Sequence, residues 1–443
     1  MRYRPNRRRR ARWPFVLIGL ALMGCLASLA FKYAYDTDER VSYRVDEVQI
    51  QLYRLFNTQG DTLPTPVVAV AGPIATQAFV PVEEEAAIPT AITVPPAITP
   101  EGPTATPLAT ATPTLPPTPI PGIFGLTGFR HEYQKANNCG PAALAVTLSY
   151  WGWQGSQVDT AAVLKPVQAD KNVSPIEIYN YLARVGYDAY IRNNGTLDTL
   201  KRFIAAGYPV LVEKGFQCEP DEGSACSGWF GHYSVFTGYD DEKGIFIMQD
   251  TFRGPNHKMK YEDVLRNWRA FNYLYVVPFP ASAERDAQVQ ALLGPEVVDL
   301  EQNYRDALQR TRDEIPTLSG QDLAFAWFNV GTNLYFLKDY AGSAQAFDEA
   351  RKIGLPYRMA WYQFGPYRSY YFMGRYQDVI DLASFAIKST PKPGLEEAFY
   401  WRGLAYEATG QQTLAIEDYR QAVTQHPGDV EATDALRRLG LVP

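Results

Sequence analysis

The chain has 443 residues, 46% of them apolar and 20% charged, which is too long for one ordinary domain and too apolar for a disordered protein. Eight of its 42 Lys and Arg precede residue 33, leaving 34 against 48 Asp and Glu beyond that point. That acidic balance excludes nucleic acid as the main partner, because phosphate binding needs clustered positive charge.

Residues 1–12 hold seven arginines and no acid, and residues 13–31 follow without a charge. At about 1.5 Å per helical residue, this apolar stretch matches a hydrocarbon core of roughly 30 Å. It predicts a transmembrane anchor at 13–32 behind a basic cytoplasmic tail at 1–12, since flanking arginines hold that end inside. The bulk of the chain is then extracytoplasmic, at the cell membrane. Two other readings stand beside it: a cleaved signal peptide ending near Ala27-Ser28-Leu29-Ala30, and a lipoprotein signal at Leu22-Met23-Gly24-Cys25. All three export the remainder.

Residues 33–60 form a juxtamembrane segment of mixed pattern. Residues 61–122 hold 15 of the 33 prolines and no aromatic between Phe79 and Phe124. A stretch so poor in apolar bulk cannot offset its ordering entropy, and its prolines favour extended conformations, so it reads as a semi-rigid linker.

At residues 123–280 aromatics return. A helix is predicted from Cys139, with Pro141 in the first turn where its missing N–H is tolerated. A second starts at the capping box Ser174-Pro175-Ile176-Glu177 and ends near Gly186. Short apolar runs at 208–212, 233–239, 245–248 and 273–277 read as strands, with residues 240–244 turning a hairpin. Helices followed by an antiparallel sheet give an α+β domain.

The four cysteines can be sorted individually. Cys25 lies in the anchor. Cys218 and Cys226 sit in a loop rich in Gly, Ser and acids, and an oxidising compartment favours a disulfide between them; a metal site there would need two more ligands. Cys139 is left over. At a helix start its thiolate is stabilised by unpaired amides and the positive end of the dipole. Gly140 leaves room for a substrate carbonyl, and Gln134 is placed to offer its amide to an oxyanion alongside the Cys139 N–H. The alternative is a buried structural thiol.

A thiol nucleophile needs a base. His232, opening the strand-like Gly-His-Tyr-Ser-Val-Phe segment, is rigidly held, whereas His131 and His257 read as surface residues and His426 belongs to the helical region. Asp250, at the end of the next hairpin strand, is the candidate to orient the second ring nitrogen; its alternative role is forming the turn before Thr251-Phe252-Arg253-Gly254.

Asn137-Asn138-Cys139-Gly140-Pro141, Gly231-His232-Tyr233 and Gln249-Asp250-Thr251, in that order, resemble the bacteriocin-processing, double-glycine type of papain-like cysteine peptidase domain. That resemblance implies a papain-like fold with Cys139 as nucleophile, His232 as base, Asp250 as orienter and Gln134 in the oxyanion hole. The best-known members are fused to an ATP-driven exporter. No segment here matches a Walker A phosphate loop, so a broader exported role fits better than leader cleavage.

Residues 281–443 read as wholly helical, with a 36-residue period aligning Phe347, Ala383 and Tyr419, as well as Ala350, Ala386 and Ala422. The pattern resembles the tetratricopeptide repeat, most closely at Gly403, Tyr406, Ala415, Tyr419, Ala422 and Pro427. The middle unit is irregular around Gly365-Pro366, and residues 297–315 predict an extra packing helix.

The composite expectation is a membrane-anchored cysteine peptidase acting on a peptide or protein substrate, with a helical repeat domain for a protein partner. Two readings compete with it: a non-catalytic, peptidase-like scaffold, and a thiol acyltransferase using the same three residues. No cofactor or metal is implied, because no cluster of His, Cys and acids has ligand spacing along the sequence.

Overall fold

The computed structural model describes residues 27–34, 39–56, 60–66, 120–218 and 228–442. Most of the expected membrane segment, nearly all of the linker and Cys226 lie outside them. Among the described residues no helix is long and apolar enough to cross a membrane.

Among the described residues seven antiparallel strands form one sheet: β1 (Ile123–Gly125), β2 (Tyr187–Arg192), β3 (Val210–Cys218), β4 (Gly228–Asp240), β5 (Ile245–Asp250), β6 (Gly254–Lys260) and β7 (Tyr275–Pro280). Their order is β2-β7-β3-β4-β5-β6, with β1 added to β4. Strands β1, β2 and β6 had no counterpart among the apolar runs. β6 reads Gly-Pro-Asn-His-Lys-Met-Lys with most of its side chains at least partly exposed, an edge strand without an apolar signature.

After α1 (Glu39–Phe56), helix α2 (Cys139–Tyr150) packs across the sheet. Gly140 through Leu148 are all buried, so the helix is apolar on every side rather than amphipathic. Its Leu144, Val146 and Leu148 share a core with Leu211 of β3, Tyr233 and Val235 of β4 and Val276 of β7. Two short helices brace it: α3 (Gln157–Leu164) and α4 (Pro175–Arg184), the second opened by the Ser174–Glu177 capping box. On the other face, α5 (Leu197–Ala205) and α6 (Tyr261–Arg269) cover a second core containing Phe203, Tyr239, Phe246 and Trp268.

The helices after residue 280 first complete this domain. Val289 and Leu293 of α7 (Ala283–Leu293) enter the second core, and Arg192 donates to the carbonyls of Val297 and Val298 in α8 (Pro295–Val298). Beyond α9 (Leu300–Glu314), three helix pairs follow: α10 (Gly320–Phe336) with α11 (Tyr340–Ile353), α12 (Gly365–Phe372) with α13 (Tyr376–Lys388), and α14 (Glu396–Ala408) with α15 (Gln412–Gln425). α16 (Val430–Arg438) closes the array. The 36-residue period has a direct packing cause: a Cβ on Gly331 would meet the Phe347 ring at 2.7 Å, and one on Gly403 would meet Tyr419 at 2.7 Å. In the first and third pairs the large residue of the second helix packs against a glycine of the first; in the middle pair Ala383 stands at the large residue's place and Tyr367 at the glycine's.

The two domains are tightly joined. Asn272 and Asn333 exchange buried amide hydrogen bonds of 2.7 and 3.3 Å, Gln363 donates to the Ala270 carbonyl at 2.8 Å, and Arg269 bridges Glu314 and Asp322. The start of the predicted linker is also docked. Leu63 is buried, its N–H donates to Leu355 O at 2.9 Å, and Tyr357 N donates to Asp61 O at 3.0 Å. Residues 61–63, read from the sequence as the start of the linker, are therefore docked on the repeat domain.

Candidate active site

The two asparagines before Cys139 have separate tasks. Asn137 adopts a left-handed backbone (φ 55°), a conformation that asparagine tolerates better than most side chains, and this reverses the chain into the helix. Asn138 donates at 2.9 Å to the buried Gln157 side chain, whose Oε1 also accepts from Lys135 N at 2.8 Å. Lys165 reaches the Asn137 carbonyl from behind. Upstream, Gln134 N donates to Thr251 O at 2.9 Å, tying the loop to the end of β5. The sulfur is thus presented at the first residue of α2 by a loop anchored at several points.

His232 comes from β4 and Asp250 from the end of β5. The register pairs Val235 with Gln249, which sets Asp250 beside Ser234 and within reach of His232 two residues away. His232 Nε2 lies 3.1 Å from Asp250 Oδ1, and the ring is within interaction range of the Cys139 sulfur, which helps to raise its pKa. Asp250 is itself over-determined. It accepts from Phe252 N at 3.1 Å, Arg253 N at 2.9 Å and Ser234 Oγ at 2.9 Å, with Lys214 Nζ 3.8 Å away. One carboxylate thus contacts both the His232 ring and the turn amides of Phe252 and Arg253.

The electrostatics favour an ion pair. Burial pushes the Cys139 thiol up, but the His232 hydrogen bond and charge, a Tyr233 backbone hydrogen bond and Lys165 bring it below its ordinary value. Burial lowers His232, and the charge and hydrogen bond of Asp250 more than offset this, so the imidazole is raised. Burial also opposes ionised Asp250, yet His232, Lys214 and the Arg253 N–H hold its carboxyl well below the usual range. Each shift supports thiolate, imidazolium and carboxylate in line.

Gln134 is fixed the right way round for a donor. Thr251 Oγ1 donates to its Oε1 at 2.9 Å, so the NH2 end points away from Thr251. His131 and His257, expected at the surface, are half-buried instead; His131 Nδ1 bonds Gln249 Oε1 at 3.0 Å and His257 sits opposite Met248 on β6. Cys218 is disulfide-bonded, and among the described residues Cys139 is the free thiol.

Two neighbours of the site escaped the sequence reading. Lys214 pairs across strands with His232 and is 1% exposed; the predicted strand stopped at Val212, while β3 runs on to Cys218. Tyr362 arrives from the repeat domain. The irregular middle unit breaks into a 3-10 turn, Tyr357–Trp361, which leads Tyr362 onto Gly231, next to His232. Burial chiefly raises the Tyr362 phenol, and the Cys139 charge adds to this, so the ring is within electrostatic reach of the sulfur. The glycine in Gly231-His232 is the trace of this approach, since a Cβ there would meet the Tyr362 ring at 2.9 Å.

A thiol at a helix start, an imidazole on the adjoining strand and a buried carboxylate behind it place the domain in the α+β cysteine-peptidase class. Residues 126–276 match the Peptidase C39 like family and residues 397–429 match the tetratricopeptide repeat. The chain therefore carries a C39-like peptidase domain followed by a tetratricopeptide repeat. Solved structures similar to parts of it include a C39-like peptidase described from Bacillus anthracis, at 14% identity and TM-score 0.29, covering 36% of this chain and 98% of that one. A double glycine motif protease from an AMS/PCAT transporter, in complex with the leader peptide, shares 14% identity at TM-score 0.27, covering 36% and 95%. A MamA RS-1 double mutant shares 17% identity at TM-score 0.28, covering 35% and 80%. No curated protein matches the chain.

Proposed function

We propose that the protein is a thiol peptidase that hydrolyses peptide bonds, held at a membrane by its N-terminus. The observation that carries this reading is that His232 is hydrogen-bonded to Asp250 and interacts with Cys139, with each of the three groups shifted toward its charged form. In the reaction, the Cys139 thiolate attacks the substrate carbonyl carbon and the oxyanion is received by the Cys139 N–H and the Gln134 amide. His232 passes its proton to the leaving amine, giving a thioester and a free N-terminus. It then takes a proton from water, whose oxygen attacks the thioester and releases the carboxylic acid and the thiol.

The repeat domain supplies a protein-binding array and, through Tyr362, one wall beside the base. Replacing Cys139 by Ala in the full chain should abolish hydrolysis of a peptide library while leaving near-UV circular dichroism unchanged; persistent hydrolysis would overturn the mechanism.

An outward-facing location is supported by the arginine-rich start, the uncharged stretch at 13–31 and the disulfide at Cys218, which persists in oxidising compartments. A membrane-impermeant thiol reagent should label Cys139 in intact cells, and labelling only after lysis would refute this placement.

A further inference from the structure

A second cluster of ionisable side chains lies where the repeat array meets the peptidase domain, apart from the catalytic line. Asp170 comes from the loop before α4, Glu396 from the first turn of α14 and His426 from the end of α15. Their potential ligand atoms all lie within 4.8 Å of one another. His426 Nδ1 is 3.5 Å from Asp170 Oδ2, 3.2 Å from Glu396 Oε1 and 4.0 Å from Glu177 Oε1.

Each carboxylate of the peptidase domain is held by one oxygen and presents the other. Asp170 Oδ1 accepts from Asn172 N at 2.9 Å, leaving Oδ2 toward His426. Glu177 Oε2 accepts from Ser174 N and Oγ in the capping box, leaving Oε1 on the same side. Asp170 is 0% and Glu396 3% exposed, yet Asp170 Oδ2 and Glu396 Oε2 accept no hydrogen bond from any described residue. Buried carboxylate oxygens without donors are rare because their desolvation is otherwise uncompensated.

We infer that Asp170, Glu396 and His426, completed by Glu177, form a binding site for a zinc-class divalent cation that fastens the repeat domain to the peptidase domain. For a four-coordinate ion with bonds of about 2.0–2.2 Å, neighbouring ligand atoms lie roughly 3.3–3.6 Å apart. The distance from His426 Nδ1 to Asp170, 3.5 Å, falls on that edge, and the 3.2 Å contact with Glu396, a hydrogen bond without the ion, lies just short of it. One imidazole with carboxylates suits zinc, cobalt or manganese rather than calcium or magnesium, which take all-oxygen shells. The Asn172 and Ser174 bonds are the outer contacts that aim such ligands, and the partly exposed His426 side chain gives the ion a way in. Around the site the two segments are pinned together: Lys171 N donates to Gly394 O at 3.0 Å, and a Cβ on Gly394 would fall 2.0 Å from Ala169 O. The ligands lie more than 200 positions apart between Asp170 and Glu396, which is why sequence spacing did not show them.

The test uses the full chain, stripped with chelator, with Cys139 alkylated so that its thiol cannot bind metal. Cobalt(II) is titrated as the probe and zinc is then added. The expected result is one cobalt per chain with the visible absorption of four-coordinate oxygen and nitrogen ligation, bleached by zinc. Affinity should fall at least 100-fold in Glu396→Gln and His426→Gln. Should either of those fail to fold by near-UV circular dichroism, Glu177→Gln, which removes only the outermost ligand, is expected to weaken binding about tenfold. Absence of a cobalt spectrum in the folded wild type, or equal affinity in the folded variants, would overturn the site and leave a histidine–carboxylate ion pair.

Discussion

Replacing Asp250 by Asn preserves shape and removes one charge, so it isolates what that charge does. The Asn Oδ1 can still accept from His232 and from the Phe252 and Arg253 N–H groups. The second oxygen becomes an NH2 facing Ser234 Oγ, now 2.9 Å from Oδ2, and the buried Lys214 ammonium at 3.8 Å. The serine can reverse its hydroxyl; the lysine cannot accept. Breaking a buried ion pair costs roughly 3–5 kcal/mol, and the retained bonds put this variant near the lower end, about 3 kcal/mol. Losing the carboxylate also removes about 4 kcal/mol of attraction for the imidazolium, taking roughly 4 Å between charges and an effective dielectric of 20. Even if relaxation returns a third of that, the thiolate–imidazolium pair weakens by about 100-fold. Urea unfolding and the rate of Cys139 alkylation at pH 6 measure the two effects. Unfolding within about 0.5 kcal/mol of wild type, together with alkylation within about threefold, would refute the reasoning.

The same carboxylate sets an acid limit. Its folded pKa lies below the ordinary 3.8, so the unfolded chain binds the proton first; the stabilisation is present above that value and is lost as pH falls through the folded one. Acid titration of Asp250→Asn should lack this component and flatten below about pH 4. Gln134→Ala should lower kcat by about 10²–10³ with little change in KM, because an oxyanion donor acts mainly in the transition state; a change confined to KM would assign Gln134 to substrate binding. Gly231→Ala forces a Cβ to within 2.9 Å of both the Phe271 and Tyr362 rings, so thermal unfolding should show about 1–3 kcal/mol of destabilisation. An unchanged melting temperature would mean that Tyr362 is not packed on the strand of the base.

The candidate site was legible where local chemistry is written contiguously. Asn137-Asn138-Cys139-Gly140-Pro141 announces a turn, a helix start and a candidate thiol within five positions, and the strand-like run opening at Gly231-His232-Tyr233 locates a rigid imidazole. The repeats were legible because one packing contact recurs, Phe347 on Gly331 and Tyr419 on Gly403. What escaped depends on distance in sequence. Lys214 and Tyr362 carry no motif; the first needed the strand register and the second needed the docking of two domains. Residues 61–66 looked like the rest of a proline-rich stretch, yet Leu63 pairs with Leu355 nearly three hundred residues later. Edge strand β6 was silent because solvent on one side removes the apolar pattern that marks buried strands.

The pH dependence of Cys139 alkylation by iodoacetamide bears most directly on the claim that sulfur and imidazole share a proton here. The predicted profile for the wild type keeps substantial reactivity well below the ordinary thiol value of 9.0, and His232→Ala moves it back up. A wild-type rate that simply climbs toward that value, unaltered by His232→Ala, would contradict the account.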